Sequence, residues 1–265
     1  MTRSPRLPFA VSRSRAAGIL AALACLAFVA CATRGAREAT PLAGARQLVV
    51  VTSAGWDATE GSLRRFERNG GGNWRQAGDA VPVMLGRSGS AWGLGLHGEP
   101  GDGPRKREGD GRAPAGVFGI GTAFGYADGA DTALPYAAMD AGDWCIDVAD
   151  SPLYNRIVNT GDVGADAIAG STEPMRRDLH ADGDVRYKLG FVVEHNAAAT
   201  PDGGSCIFAH LWRKPGEATA GCTAMAEPAM QELLAWLDAE RQPLFVLLPD
   251  DAYGELQGRW QLPRL

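Results

Sequence analysis

Apolar residues along the chain are grouped in short runs, separated by turns rich in glycine, proline and small polar residues. Runs of this length with β-branched and aromatic residues predict β-strands, because such side chains pack well on a pleated surface. The clearest is the β-branched run that begins at Gln47 and is closed by Ser-Ala-Gly. The pattern predicts a mainly β domain. Further strands are predicted at residues 61–68, 73–78, 91–96, 115–126, 143–148, 189–196, 206–212 and 243–249.

A helical pattern occurs in EPAMQELLAWLDAE, residues 227–240. Proline is favoured in the first turn of a helix, and Pro228 stands there. The apolar residues at helical spacing are Met230, Leu233, Leu234 and Leu237. Residues 160–188 show no clear period and are expected to form a long connection. With no internal repeat and no second domain boundary, we expect one β-sandwich or β-barrel domain with one or two helices.

The first thirty residues have the features of an export signal. Four arginines precede an apolar run of about fifteen residues, which is too short to span a membrane comfortably. The run ends in FVAC, which resembles the lipobox of bacterial lipoproteins and makes Cys31 a candidate for acylation. Cleavage after Ala32 would instead release a soluble protein, and an uncleaved segment would be retained as an anchor. We therefore expect a signal peptide at 1–30, a tether at 31–46 and the folded domain at 47–265.

Charge and cysteine content narrow the functional classes. The net charge of −5 becomes −9 once the four signal arginines are removed, so a nucleic-acid partner is not expected. Export places the chain in an oxidising compartment. Apart from the signal and the lipid candidate, three cysteines remain, namely Cys145, Cys206 and Cys222. One disulfide and one free thiol is the simplest outcome, with three pairings open, and a free thiol kept there favours a function for it.

His210 and Cys222 are the candidate catalytic pair. Cysteine attacks as a thiolate, so it needs a nearby base and hydrogen-bond donors for the oxyanion that develops. Gly221 precedes the thiol and allows close approach of the backbone, and Thr219 adds a hydroxyl. The alternative is that both residues are structural, one a buried thiol and the other a core histidine.

A zinc site is a weaker possibility. Cys206 and His210 have a Cys-x-x-x-His spacing, and His195 and Cys222 would complete four ligands. The chain has neither HExxH nor His-x-His, and these ligands are far apart in sequence. We expect no metal and no cofactor.

The sequence resembles the L,D-transpeptidase (YkuD-type) catalytic domain, in a periplasmic or lipoprotein subgroup. The resemblance extends from about Leu48 to Leu248 and is specific in combination. It rests on IFAHLW followed by TAGCTAM, and on RAPAGVFGIGTAFGY, DWCIDVADSPLYNRIV, LGFVVEHN and the closing GCTAMAEPAMQELLAWLDAERQPLFVLL. It implies an L,D-transpeptidase-like fold.

Site roles follow from the resemblance. Cys222 matches the acyl-accepting nucleophile, His210 its base, and Thr219 the Ser/Thr of the motif, while Gly221 and the Cys222 N–H match the oxyanion site. With Cys222 in that role, Cys145 and Cys206 are expected to pair. His195 either assists substrate binding or is a structural residue at a strand end. Arg87 and Arg156 are candidates for a substrate carboxylate, with surface ion pairing favoured. The departures from the family pattern are Ala113, Ala220 and Ala224, which put substrate details in doubt.

The resemblance implies acyl transfer on peptidoglycan stem peptides. The thiol would expel the terminal D-alanine and pass the resulting thioester to an amine, in cell-wall cross-linking or remodelling. The alternatives are an L,D-carboxypeptidase or a hydrolase that detaches a protein from peptidoglycan, and, in another class, a non-catalytic peptidoglycan-binding lipoprotein. We expect a monomer in the periplasm or cell envelope, bound to a membrane only through an N-terminal lipid at Cys31.

Overall fold

A computed structural model of the protein describes Met1, residues 40–99 and residues 101–265. It is 32% strand and 16% helix, which confirms the prediction of a mainly β domain. The strands are β1 (Gln47–Ser53), β2 (Glu60–Glu67), β3 (Arg75–Gln76), β4 (Val81–Met84), β5 (Ser90–Trp92), β6 (Ala113–Gly125), β7 (Tyr136–Ala138), β8 (Asp143–Cys145), β9 (Ile157–Asn159), β10 (Glu173–Pro174), β11 (Leu189–Val193), β12 (Phe208–Leu211), β13 (Thr223–Met225) and β14 (Leu244–Pro249). The α-helices are α1 (Thr160–Val163), α2 (Arg177–His180), α3 (Glu227–Trp236) and α4 (Asp250–Trp260), and 3-10 turns occur at Ala165–Ile168 and Ala239–Arg241.

Eight strands close into a barrel in the order β1-β14-β6-β11-β12-β13-β4-β2, with β2 pairing back onto β1. Most neighbours are antiparallel, but β1–β14 and β12–β13 are parallel. Strand β3 extends the sheet from β2, while β5 and β7 pair with β6. A separate small sheet has the order β10-β8-β9. The parallel β12–β13 pair positions the candidate site.

The core lies inside the barrel and beneath its helices. Strands β1 and β14 are buried at every position, because α4 packs against them from outside the barrel. Strands buried on both faces are continuous apolar runs, and this is the pattern that the two sequences show. Helix α3 packs against β11 and β12 and buries Met230, Leu233 and Leu234.

The helices differ from the prediction of one or two. The helix predicted over 227–240 ends at Trp236, because Leu237 has extended backbone angles, and a 3-10 turn follows. Strand β14 does not end the domain, since α4 follows it directly. Gly254 and Gly258 lower the helix propensity of α4 and obscured its pattern. Its buried residues nevertheless have helical spacing: Ala252, Tyr253, Leu256 and Trp260.

The folded domain begins before residue 47, so the predicted tether is too long. Leu42 and Ala45 are buried in the core, and the guanidinium of Arg68 donates to both of their carbonyl oxygens. The signal segment and Cys31 lie outside the described residues. Among the residues described, no helix has the length and apolar character needed to cross a membrane.

Candidate active site

The parallel pairing of β12 and β13 brings the two candidate catalytic residues together. His210 lies opposite Ala224 in the register, and Cys222 directly precedes β13. Both side chains are buried, and both line a cavity of about 80 Å³. Residues that are twelve positions apart in sequence are thus brought to one cavity by a strand pairing.

The ring of His210 has a fixed orientation and tautomer. Nδ1 lies 2.7 Å from the carbonyl oxygen of Leu211. A carbonyl only accepts hydrogen bonds, so Nδ1 carries the hydrogen and Nε2 keeps its lone pair. Tyr187 packs against the ring at 5.2 Å between centroids. Burial lowers the pKa of His210 to about 4, so the imidazole is neutral at pH 7 and able to accept a proton.

Backbone groups hold the thiol of Cys222. Its Sγ accepts a hydrogen bond from the Phe208 N–H at 3.3 Å and donates one to the Cys206 carbonyl at 3.4 Å. Burial raises the pKa of Cys222 to about 11, while the Phe208 N–H and the positive charge of Arg177 act in the opposite direction. Among the described residues, no hydrogen bond joins Sγ to His210. The resting pair is therefore a neutral thiol beside a neutral imidazole.

Thr219 fixes the loop that precedes the thiol. Its Oγ1 accepts from the Gly221 N–H at 3.0 Å and donates to the Cys222 carbonyl at 2.6 Å. Glycine is required at position 221, because φ is +156° and a Cβ there would lie 3.0 Å from the Arg112 carbonyl oxygen. The resemblance implied that Gly221 lies at the oxyanion site. Its N–H already donates to Thr219, so this N–H is not free to donate to an oxyanion.

A disulfide supports the residue that holds the thiol. Cys145 and Cys206 are bonded, and Cys222 is the free cysteine of the described chain. The Cys206 backbone has a positive φ of 54°, and its N–H donates to the side chain of Asn155 at 2.9 Å. The disulfide therefore anchors the residue whose carbonyl contacts the Cys222 thiol.

His195 is not part of this cavity. Its Nδ1 accepts from the Leu94 N–H at 3.2 Å, and its Nε2 donates to the Gly203 carbonyl at 2.9 Å. With both nitrogens engaged and the ring buried, the side chain connects two loops, and His195 lines a separate groove. The prediction of a substrate-binding role for His195 is not supported by this geometry.

The cavity also contains residues that the sequence did not single out. Arg177, Arg186, Tyr187 and Glu173 line it together with the catalytic candidates. All four come from or border the unpatterned segment 160–188. The sequence signal for these residues is the charged and aromatic side chains in MRRD and VRYK. Which way those side chains point depends on the tertiary fold. Arg87 and Arg156, the earlier candidates, do not line the cavity.

Within residues 40–99 and 101–265, no cluster of three or more histidine, cysteine, aspartate or glutamate side chains could hold a metal ion. No model of a known protein family and no curated protein matches the sequence.

Proposed function

We propose that this protein is a cysteine-dependent peptidoglycan L,D-transpeptidase. The observation that carries the proposal is a free thiol sharing a buried cavity with a neutral histidine whose Nε2 lone pair is available. The resemblance of the His210 and Cys222 segments to L,D-transpeptidases supplies the substrate class. The mainly β barrel is compatible with an L,D-transpeptidase-like fold.

Acylation begins when the thiol exchanges its contact with the Cys206 carbonyl for Nε2 of His210. Nε2 accepts the proton, and the thiolate attacks the carbonyl carbon of the third stem-peptide residue. The Cys222 N–H is the proposed donor to the oxyanion, since the Gly221 N–H bonds to Thr219. Collapse breaks the C–N bond, and the imidazolium returns the proton to the departing D-alanine amine. A thioester on Cys222 remains.

Deacylation reverses the proton transfers. The amine of a second stem peptide loses a proton to Nε2 and attacks the thioester. The C–S bond breaks, the thiolate regains the proton, and a cross-linked product leaves. Water in place of the amine gives a trimmed stem, so transfer and hydrolysis share the same thioester.

The cellular setting belongs to the same proposal. An exported protein would meet its peptidoglycan substrate in the periplasm, and acylation at Cys31 would tether it to a membrane. The candidate signal and Cys31 precede a domain that begins by Thr40. A monomer is sufficient, since His210 and Cys222 come from one chain.

The test is incubation of the oxidised protein with purified muropeptides, followed by mass spectrometry of the products. We expect cross-linked dimers from the wild type, and neither dimers nor trimmed stems from Cys222→Ala or His210→Ala. Trimmed monomers without dimers would identify a hydrolase. No wild-type turnover of any stem peptide would support the non-catalytic alternative.

A further inference from the structure

The cavity beside Cys222 has a cationic wall that the proposed catalytic steps do not use. Arg177 on α2 and Arg186 before β11 both line it. Guanidinium groups recognise carboxylates through paired N–H donors, so each arginine is a candidate ligand-binding residue. The existing bonds of the two side chains distinguish them.

Arg186 is already paired with a neighbour. Its Nε lies 3.0 and 2.8 Å from the two carboxylate oxygens of Asp184, and its Nη2 lies 2.5 Å from the second. Asp184 is buried, and the hydrogen bonds and charge of Arg186 lower its pKa. Arg186 and Asp184 thus form an internal ion pair of the cavity wall, so we do not assign Arg186 as the carboxylate-binding residue.

Arg177 has a different set of contacts. Its Nη2 contacts the carboxylate of Glu173, which also accepts a hydrogen bond from the Tyr187 hydroxyl at 2.7 Å. The guanidinium stacks over the Tyr187 ring at 4.8 Å, which fixes its plane. Its Nε is buried and has no hydrogen-bond partner among the described residues. An unpaired buried donor on a charged group is costly, so this N–H is suited to a ligand oxygen.

We infer that Arg177 binds a carboxylate of the substrate in the Cys222 cavity. The guanidinium contacts Tyr187 and Glu173, and its Nε–H, which has no partner among the described residues, is the proposed donor. The inference rests on the proposed function for the identity of the peptide. In a stem peptide, the carboxylate of the terminal D-alanine lies only a few bonds from the carbonyl that the thiol attacks. A carboxylate on the side chain of the third residue offers the same chemistry.

The first test uses two small reagents and needs no enzymatic turnover. Iodoacetate and iodoacetamide both alkylate a thiolate with loss of iodide, but only iodoacetate carries a carboxylate. The ratio of their rates at Cys222 cancels any change in the fraction of thiolate. We expect this ratio to fall about 10- to 100-fold in Arg177→Gln, the range of one charge-assisted hydrogen bond.

The matched control is Arg176→Gln. Arg176 is the adjacent arginine, pairs with Asp178 and stacks on Tyr126, and does not line the cavity. The ratio should match the wild type in Arg176→Gln and be partly retained in Arg177→Lys. An unchanged ratio in Arg177→Gln, or an equal fall in Arg176→Gln, overturns the inference.

A measurement on the wild type covers the case in which Arg177→Gln does not fold. Acetate should slow alkylation of Cys222 by iodoacetamide in a saturable way, and acetamide should not. Equal behaviour of acetate and acetamide overturns the inference. A carboxylate preference in a protein that processes no stem peptide would leave the inference standing and refute the proposed function.

The source of the carboxylate is identified with synthetic tetrapeptides. The first peptide is unmodified, the second has a terminal carboxamide, and the third has an amidated carboxylate on its third residue. The amidated group is the bound one if its amidation lowers the wild-type kcat/KM about 10- to 100-fold relative to the unmodified peptide. In Arg177→Gln the same amidation should then cause no further loss. If Arg177→Gln lowers kcat/KM equally for all three peptides, Arg177 does not bind the carboxylate.

Discussion

The environments of His210 and His195 are alike in burial and differ in hydrogen bonding. Both rings are buried, and in both cases burial lowers the pKa to about 4. Both nitrogens of His195 are bound to backbone groups. Within the described part of the chain, His210 bonds in this way through Nδ1 alone, and it shares a cavity with a free thiol.

This difference is the reason why we propose His210, and not His195, as the base. A lowered pKa reports burial, which a structural histidine shares with a catalytic one. The informative feature is a ring in which one nitrogen donates a hydrogen bond and the other keeps a lone pair, in a cavity that also contains a nucleophile. His210 has that feature and His195 lacks it.

The largest expected effect is on turnover. His210→Gln retains a side chain that can donate to the Leu211 carbonyl but removes the base, so kcat should fall about 10²- to 10⁴-fold. His195→Gln is the matched control and should keep kcat within a few-fold in folded protein. Rates of muropeptide turnover check this, with circular dichroism confirming the fold. Equal losses in the two variants would remove the distinction between the histidines.

The two histidines should act alike on stability in acid. Each has a folded pKa of about 4 against an ordinary value of 6.5, so the unfolded chain binds more protons between these values. The contribution of each neutral histidine to the free energy of unfolding is therefore complete above about pH 6.5, and it is lost as the pH falls towards 4. The loss is about 3 kcal/mol for each histidine.

Urea denaturation at several pH values measures this loss. Each His→Gln variant should remove its own share of the pH dependence, and the double variant should remove both. A pH dependence that persists undiminished in the double variant would assign acid sensitivity to other groups.

The thiol gives a third test, because His210 lines its cavity and His195 does not. Alkylation requires thiolate, and a Cys222 pKa of about 11 means that the thiolate fraction rises about tenfold per pH unit below that value. The iodoacetamide rate should therefore rise about 100-fold from pH 7 to pH 9. A rate that is flat over this range would indicate a preformed thiolate–imidazolium pair, contrary to the neutral resting pair.

The smallest effect concerns the structural role of His195. In His195→Leu no polar atom replaces the two ring nitrogens, which leaves the Leu94 N–H and the Gly203 carbonyl without these partners. We expect a loss of about 1–3 kcal/mol in the free energy of unfolding at pH 7. Urea denaturation measures it, and a stability equal to the wild type would show that the two hydrogen bonds contribute little.

The sequence was most informative where local patterns decide the structure. The β-branched and apolar runs of β1 and β14 and the helical spacing from Met230 to Leu234 are properties of neighbouring residues. The proximity of His210 and Cys222 was expected from the resemblance, and the parallel β12–β13 pairing is its physical cause.

The remaining features depend on contacts that are distant in sequence. The free nitrogen of His210 and the two bound nitrogens of His195 are set by loop carbonyls and N–H groups, which no spacing rule identifies. The direction of Arg177 depends on how the unpatterned segment 160–188 packs against the barrel. Tertiary packing, rather than periodicity, positions these groups.

The most direct measurement is the intact mass of the protein after brief mixing with a stem tetrapeptide, followed by acid quench and peptide mapping. We expect an added acyl group, equal to the peptide minus its terminal D-alanine and bound as a thioester at Cys222. His210→Gln should form it far more slowly, His195→Gln at nearly the wild-type rate, and Cys222→Ala not at all. Product formation by Cys222→Ala at the wild-type rate, or an acyl group mapped to another residue, would contradict the account.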